Sequence, residues 1–255
     1  MPLGNYQRCP VALRAARFAN MNVSNCRFEG YNYTVQYAEG TEGTFTHSIV
    51  LDSGHQGVTL YEGAKAAITD NIIAGSKYHG LRSTGGELDV RNNLIINNNN
   101  RGIYLGNKSA TGVISNNLLI NNTEGISGFA ASKVTVKNNI FSGSTFAGID
   151  MRDSCWLAIE NNIFVNNLCG IKLIPEGGKD NNTIGNNIFR DNKKATEDID
   201  VKTDQTDIDP QFNDPANGDY TSQNETVMEQ KQGLTNPQVL KTLWEIWQKN
   251  KTPEN

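Results

Sequence analysis

The chain has 255 residues, a formal net charge of −4 and a hydrophobic content of 37%. This acidic balance excludes the basic footprint of a nucleic-acid-binding protein. No apolar run approaches the ~20 residues that a membrane-spanning helix needs, so the sequence also argues against a membrane protein. Cys9, Cys26, Cys155 and Cys169 have neither metal-ligand spacing nor a compact disulfide pattern, and we interpret them as buried thiols.

A repeat of about 23 residues runs through most of the chain. Five copies have an apolar residue, a variable residue, two asparagines and two apolar residues, as in Val90-Arg91-Asn92-Asn93-Leu94-Ile95. The copy at Ile68 has Asp70-Asn71 instead, and those at Phe45 and Val23 are weaker. Steps of 22 to 25 residues separate the copies, which is the period of a repeat architecture. The leading apolar residues are Val23, Phe45, Ile68, Val90, Ile114, Val136, Ile159 and Ile184.

Each repeat carries three short apolar patterns. One leads into the asparagines (Leu88-x-Val90), one follows them (Ile95-Ile96), and one follows a glycine (Gly102-Ile103-Tyr104-Leu105). Alternation over three or four residues predicts short strands with one face inward. A constant repeat length requires each strand to pair in parallel with the equivalent strand one repeat later. Connections between such parallel strands are right-handed in nearly all proteins. The sequence therefore predicts an all-β fold, a right-handed parallel β-helix, which is a single-stranded solenoid of about eight coils.

The solenoid is expected over residues 1–201. Its first strand, Val11-Ala12-Leu13, lies one period before Val35 and suggests an incomplete first coil. Residues 1–5 lack the layout of a signal peptide. We therefore expect either a cytoplasmic protein or one from which a signal and earlier coils were removed. The second case implies a secreted, periplasmic or cell-surface location.

The asparagine pairs are interpreted as structural. The second Asn of each pair should stack on its equivalent and donate to it, forming a ladder that Ser48 and Cys26 continue. The first Asn suits a left-handed backbone position, which asparagine tolerates.

Residues 202–255 are expected to be an irregular strap and an amphipathic helix that packs on or caps the solenoid. Asn236 and Pro237 suit the N-cap and first position of that helix. Its apolar stripe contains Val239, Leu240, Leu243, Ile246 and Trp247.

The Asn-Asn-[Ile/Leu]-[Phe/Ile] and Gly-Ile-x-Leu repeats resemble the parallel β-helix repeat family over residues 10–220. The tail from Asp209-Pro210 to Gly218-Asp219-Tyr220 is similar to the closing segment of many bacterial members. The resemblance implies a fold that hosts polysaccharide lyases, glycoside hydrolases, uronan epimerases and proteins without known activity. The Asp-Pro-His-Asp segment of uronan epimerases is absent, since Asp52-Ser53-Gly54-His55 does not match it, and so are the paired aspartates of polygalacturonases.

Candidate site residues lie on the outward face of the glycine-led strands, which we expect to form a groove for a carbohydrate chain. We predict that His79, Arg82, Arg101 and Tyr104 are catalytic. A lyase needs cations to neutralise a uronate, a base and an acid; the arginines, His79 and Tyr104 suit these roles. The residues predicted to bind substrate are His55, Tyr61, Glu124, Asp150, Arg152 and Lys172.

Two other interpretations stay open. A glycoside hydrolase would use two carboxylates from Glu124, Asp150 and Asp153. A non-catalytic scaffold would bind a glycan or a partner protein, or would use the charged columns only as surface salt bridges. The chain would also fit a fragment of a larger enzyme. The expected partner is thus a polysaccharide or oligosaccharide. The sequence indicates no cofactor or metal; calcium stays possible without being indicated.

Overall fold

The computed structural model describes residues 10–106, 108, 110–129, 131–153, 155–174, 182–199 and 208–251. Within these residues the chain is a solenoid of three parallel sheets, each strand pairing with its equivalent in the next coil. This confirms the predicted parallel β-helix. Each coil contributes one strand to each sheet, so side chains of successive coils stand in columns.

The strands of the first sheet are those that begin at the glycine-led pattern: Val11–Arg14, Tyr33–Tyr37, Gln56–Leu60, His79–Ser83, Arg101–Leu105, Glu124–Gly128, Ala147–Met151, Cys169–Leu173 and Lys194–Glu197. The strands of the second sheet lead into the asparagine bend: Asn20–Ser24, Glu42–Thr46, Lys65–Thr69, Glu87–Arg91, Thr111–Ser115, Lys133–Lys137, Trp156–Glu160 and Thr183–Gly185. The strands of the third sheet follow that bend: Arg27–Glu29, Ile49–Leu51, Ile72–Ala74, Leu94–Ile96, Leu118–Ile120, Ile140–Ser142, Ile163–Val165 and Ile188–Arg190.

The interior is a continuous apolar core. The predicted inward residues of the first sheet are fully buried: Val35, Val58, Leu81, Ile103, Ile126, Ile149 and Ile171. Near the C-terminal end, Phe141, Phe164 and Phe189 stack with ring centroids 4.7 and 5.0 Å apart. Because equivalent residues of neighbouring coils are aligned, the phenylalanine rings stack on one another. This stacking favours the observed register of the third sheet.

The predicted asparagine ladder is present between the second and third sheets. The side-chain amide of Asn93 donates to Asn117 at 2.9 Å, and that of Asn117 donates to Asn139 at 3.0 Å. The backbone N–H of Ser48 continues the ladder by donating to Asn71 at 2.9 Å. The first Asn of each pair adopts a left-handed conformation, as Asn92 does with φ of 56°.

A second ladder, which the sequence analysis did not recognise, lies between the third and first sheets. Asn98 donates to Asn122 at 3.1 Å, and Asn167 donates to Asn192 at 2.9 Å. Left-handed residues such as Asn97, with φ of 56°, precede its members. The sequence signal was available, because these pairs recur with the same period.

The cysteines agree in part with the interpretation as buried thiols. Cys155 and Cys169 are buried and free, whereas Cys26 is only half-buried because it stands at the first position of its column. Cys9 lies outside the described residues.

The C-terminal segment is more regular than expected. An antiparallel pair, Phe212–Asp214 and Asp219–Ser222, flanks a single 3₁₀ turn at Pro215–Asn217. Helix α1 (Glu225–Glu229) follows, and helix α2 (Pro237–Asn250) ends the described chain. Asn236 occupies the predicted N-cap position of α2, but its side chain makes no capping hydrogen bond.

Helix α2 packs along the outer face of the third sheet. Leu240, Leu243, Trp244 and Trp247 bury their side chains in one cluster with that sheet's outward leucines and isoleucines. The connecting segment is fixed to the bends, since Asn138 donates to the carbonyl of Gly233 at 3.1 Å. None of the described helices is long and apolar enough to cross a membrane.

Candidate functional site

The outer face of the first sheet carries two parallel columns of side chains. The strand register aligns the first column as Arg14, Gln36, Thr59, Arg82, Tyr104, Ser127, Asp150, Lys172 and Glu197. The second column is Tyr33, Gln56, His79, Arg101, Glu124, Ala147, Cys169 and Lys194. Adjacent members are about 4.8 Å apart along the solenoid. All four residues predicted to be catalytic therefore lie on two neighbouring coils.

A continuous series of rings crosses this face, and we call it the aromatic stack: Tyr33, His55, Tyr78, His79, Tyr104 and Phe129. Successive ring centroids lie 4.5 to 5.5 Å apart. Small polar residues such as Thr59 are buried on this face, whereas Tyr78 is 45% exposed. We call this face, with its small polar residues and its aromatic stack, the groove.

His79 is the most enclosed ring of the stack. It lies 4.8 Å from Tyr104 in an almost parallel stack, and Tyr78 meets it edge-on at 4.5 Å. Its Nδ1 is buried and makes no hydrogen bond among the described residues. Burial, together with the smaller effects of the positive charges of Arg101 and Arg82, lowers the pKa of His79 to about 3. The imidazole is therefore neutral at ordinary pH.

Arg82 is a cation without an acidic partner in the described part of the chain. It makes no ion pair there, and its Nε is buried without a hydrogen-bond acceptor. Its strand neighbours are Thr59 and Tyr104, which carry no charge. A guanidinium of this kind has unused donors that suit a carboxylate or another planar anion.

Apart from Arg14, which makes no ion pair within the described residues, the other cations of the face are already paired. Arg101 binds Glu124 at 2.7 Å, Arg152 binds Asp150 at 2.8 Å, and Lys172 binds Glu197 at 2.6 Å. Arg101 also lies over Tyr104, 5.2 Å from the ring centroid. These residues fit the interpretation as stacked ion pairs better than Arg82 does, since their charges are compensated within the protein.

The carboxylates proposed for hydrolysis occupy unequal environments. The side chain of Asp150 is 0% exposed, and its Oδ1 has no hydrogen-bond partner. Burial raises the pKa of Asp150, although the hydrogen bond from Arg152 opposes that shift. Glu124 is engaged by Arg101. Asp153 lies in the exposed turn beyond the strand with φ of 57°.

His55 and Tyr61 border the groove on opposite sides. His55 packs between Tyr33 and Tyr78, at 5.0 and 4.9 Å, and its pKa is lowered by burial and then by Arg82. The Tyr61 hydroxyl accepts a hydrogen bond from Gln36 at 3.3 Å. Arg14 lies over the Tyr61 ring at 5.8 Å.

The sequence analysis missed four residues of this face: Arg14, Tyr33, Phe129 and Phe146. Phe129 contacts the guanidinium of Arg152 at 5.3 Å, and Phe146 contacts the ammonium of Lys172 at 5.2 Å. Both phenylalanines lie in turns outside the repeated pattern, so no column indicated their direction. Arg14 and Tyr33 could have been found, because they occupy the same columns as Arg82 and His79. The described residues contain no cluster of three or more His, Cys, Asp or Glu side chains that could hold a metal ion.

The sequence model of a right-handed beta helix region matches residues 7–130 and 33–189. The chain belongs to the right-handed β-helix family. A solved structure of a mutant of the periplasmic alginate epimerase AlgG is similar to this β-helix, with a TM-score of 0.49 and 12% sequence identity. The similarity covers 78% of this chain and 63% of that chain, so the β-helix spans less than two thirds of that protein. At this level the likeness concerns the fold alone. No curated protein matches the sequence.

Proposed function

We propose that this β-helix acts on an acidic polysaccharide that lies along the groove, and that it cleaves the polysaccharide by β-elimination. The observation that carries the proposal is the uncompensated guanidinium of Arg82 beside His79 and Tyr104. A polysaccharide substrate also implies a location outside the cytoplasm, either in the periplasm, at the cell surface or secreted.

Arg82 supplies the electrostatic part of this chemistry. Removal of the proton next to a uronate carboxylate places negative charge on that carboxylate in the transition state. A fixed guanidinium with unused N–H groups stabilises such charge without having to reorganise. Because no protein carboxylate competes for Arg82 among the described residues, the substrate would be its acidic partner.

His79 and Tyr104 supply the proton transfers. His79 is neutral and can accept the proton. A carboxylate bound at Arg82 would offset one of the charges that hold the pKa of His79 down, so substrate binding would strengthen the base. The Tyr104 hydroxyl would donate a proton to the leaving oxygen. Since His79 is only 3% exposed, the neighbouring Tyr78 ring must rotate away to admit the substrate.

The burial of His79 also favours a second candidate, a glycan-binding groove without catalysis. The rings and Arg82 would then hold the chain, and the imidazole would serve only as part of the aromatic stack. Hydrolysis by Glu124 and Asp150 is less well supported, because both carboxylates are engaged by arginines and Asp150 is inaccessible.

The experiment is a panel of uronate polysaccharides, with cleavage followed by the ultraviolet absorbance of the unsaturated product and by reducing ends. We expect both signals on at least one uronate polymer. The variant Tyr104→Phe should keep binding and lower the turnover at least about 100-fold. The matched control Tyr31→Phe, a tyrosine outside the two columns and the aromatic stack, should change turnover less than about threefold.

Each outcome has a distinct meaning. Binding without either product signal would replace the lyase with the non-catalytic groove. Reducing ends without unsaturated product would indicate hydrolysis. If no uronate polymer bound or reacted, the proposed function would be wrong in both forms.

A further inference from the structure

A cationic cleft opens beside the groove at its N-terminal half. It has a volume of about 370 Å³ and lies between Arg14 and Arg82, with Tyr61 and Lys108 on its walls. Arg14 and Arg82 belong to the same column, separated by Gln36 and Thr59. The cleft thus shares Arg82 with the groove.

The charges of the cleft do not balance. Arg17 pairs with Glu39 at 2.5 Å, and Lys108 pairs with Glu62. Arg14 and Arg82 make no ion pair within the described residues. Four cations face two carboxylates, so the lining carries two positive charges that the protein leaves without a partner.

The column between the two arginines is polar and contains an unsatisfied acceptor beneath the cleft. Gln36 is 3% exposed, and its Oε1 has no hydrogen-bond partner, while its amide nitrogen is fixed by the Tyr61 hydroxyl. An orphaned buried acceptor is costly unless a ligand or water donates to it. The Tyr61 ring supports the Arg14 guanidinium by a cation–π contact at 5.8 Å, which leaves the N–H edge of that guanidinium available.

We infer that this cleft is a second anion subsite, which binds the carboxylate of a further uronate residue of the chain held at Arg82. The inference deepens the proposed function and rests on it. Arg14 and Arg82 are three coil steps apart, about 14 Å between their backbones, so their side chains suit two separate carboxylates better than one. The substrate is therefore a glycan that carries several acidic residues, such as a homopolymer of uronates, rather than a neutral glycan with a single acidic residue.

The test measures the affinity of oligosaccharides by titration calorimetry. The probes are a uronate homo-oligosaccharide, a neutral oligosaccharide of equal length that carries a single terminal uronate, and a uronate monosaccharide. Wild type should prefer the homo-oligosaccharide by about tenfold or more. Arg14→Gln should weaken that ligand about 10- to 100-fold, the size expected for a charge-assisted pair, and remove the preference over the single-uronate ligand. The monosaccharide should bind both proteins equally.

Arg17→Gln is the matched control. Arg17 lines the same cleft but is paired with Glu39 and exposed, so its replacement should change affinity less than about threefold. Arg14→Lys keeps the charge but loses the planar fork, and should fall between wild type and Arg14→Gln. Thermal unfolding of each variant, followed by circular dichroism, shows whether it folds; if Arg14→Gln fails to fold, Arg14→Lys decides the inference.

The binding data distinguish a wrong second subsite from a wrong proposed function. If Arg14→Gln binds like wild type while Arg82→Gln loses binding, the subsite is wrong and the proposed function stands. If Arg14→Gln and Arg17→Gln weaken binding equally, the affinity comes from the general positive charge of the cleft, and the inference of a local subsite is wrong. A sulfated neutral oligosaccharide that outcompetes the uronate in wild type, but not in Arg14→Gln, would overturn the choice of carboxylate. No binding of any uronate ligand to wild type would refute the proposed function itself.

Discussion

The same coils build the outer faces of the first and third sheets, but only the face of the third sheet is covered by helix α2. Outward residues of the third sheet are leucines and isoleucines, such as Leu94, Leu118 and Ile140, and the chain covers them with its own helix α2. Outward residues of the first sheet are arginines, rings and small polar residues. The described chain thus covers the outward residues of the third sheet with its own helix, and it leaves those of the first sheet without such a cover.

The distribution of unsatisfied polar atoms sharpens this contrast. The face of the first sheet and its borders carry buried, unpartnered atoms of six residues: Gln36, His55, His79, Arg82, Ser127 and Asp150. Native proteins leave few such atoms, and each calls for a water, ion or ligand. The third sheet instead gains from burying apolar area under the helix. Stability and recognition are therefore expected to respond to different substitutions.

The largest effect is expected from Trp244→Ala on the covered face. Trp244 is 9% exposed, packs over Gly218 and meets Trp247 at 5.0 Å. Its removal should lower the free energy of unfolding by about 3–5 kcal/mol, as measured by denaturant titration. Binding of uronate oligosaccharides should not change while the protein is folded. A parallel loss of affinity in the folded variant would show that the two faces are coupled.

The second largest effect is expected from Arg82→Gln on the face of the first sheet, which should lower the affinity for the ligand without lowering the stability. Affinity for a uronate oligosaccharide should fall about 10- to 100-fold, because a charge-assisted pair is lost. The melting temperature should stay equal or rise, since an unpaired cation with a buried Nε is removed. Arg91→Gln is the matched control, as Arg91 pairs with Asp89 on the second sheet. Equal losses in both variants would contradict a local site.

A third effect concerns the pH dependence of stability. The folded pKa of His79 is about 3, below the unfolded value of 6.5, so the unfolded chain binds the proton more readily between these values. The contribution of His79 is therefore fully present above pH 6.5 and is lost as the pH falls, at up to about 1.4 kcal/mol per pH unit. The difference in unfolding free energy between wild type and His79→Gln should vary with this slope. A difference that is constant from pH 7 to about pH 4 would show that His79 titrates normally.

The smallest effect is expected from Trp156→Ala on the second sheet. Trp156 is 45% exposed and has only a cation–π contact from Lys133 at 4.6 Å. Stability should change by less than about 1 kcal/mol, and oligosaccharide affinity should not change. Calorimetric binding and denaturant titration of this variant provide the baseline for both other faces. A large effect on either property would mean that the second sheet also has a covered or binding role.

The repeat allowed the fold to be predicted, because an apolar period of 22 to 25 residues with left-handed asparagines is compatible with few structures. It also placed His79, Arg82, Arg101 and Tyr104 on one face, since column membership follows from strand register. The features that could not be predicted involve turn residues that do not recur in the repeat, and side-chain conformations. Phe129 and Phe146 point into the groove from turns, and the pairing of Arg101 with Glu124 depends on rotamers that no sequence pattern specifies.

The bends that carry the first asparagine ladder also determine where residues can be inserted into a coil. In every described coil two residues separate the second-sheet strand from the third-sheet strand, as between Arg91 and Leu94. The turn after the first-sheet strand is free of this constraint: three residues separate Ser83 from Glu87, and nine separate Leu173 from Thr183. Insertions there leave the asparagine ladder and the core intact. Because those positions follow the strands that carry the groove, we expect a longer connection there to alter the border of the groove while the solenoid stays in register.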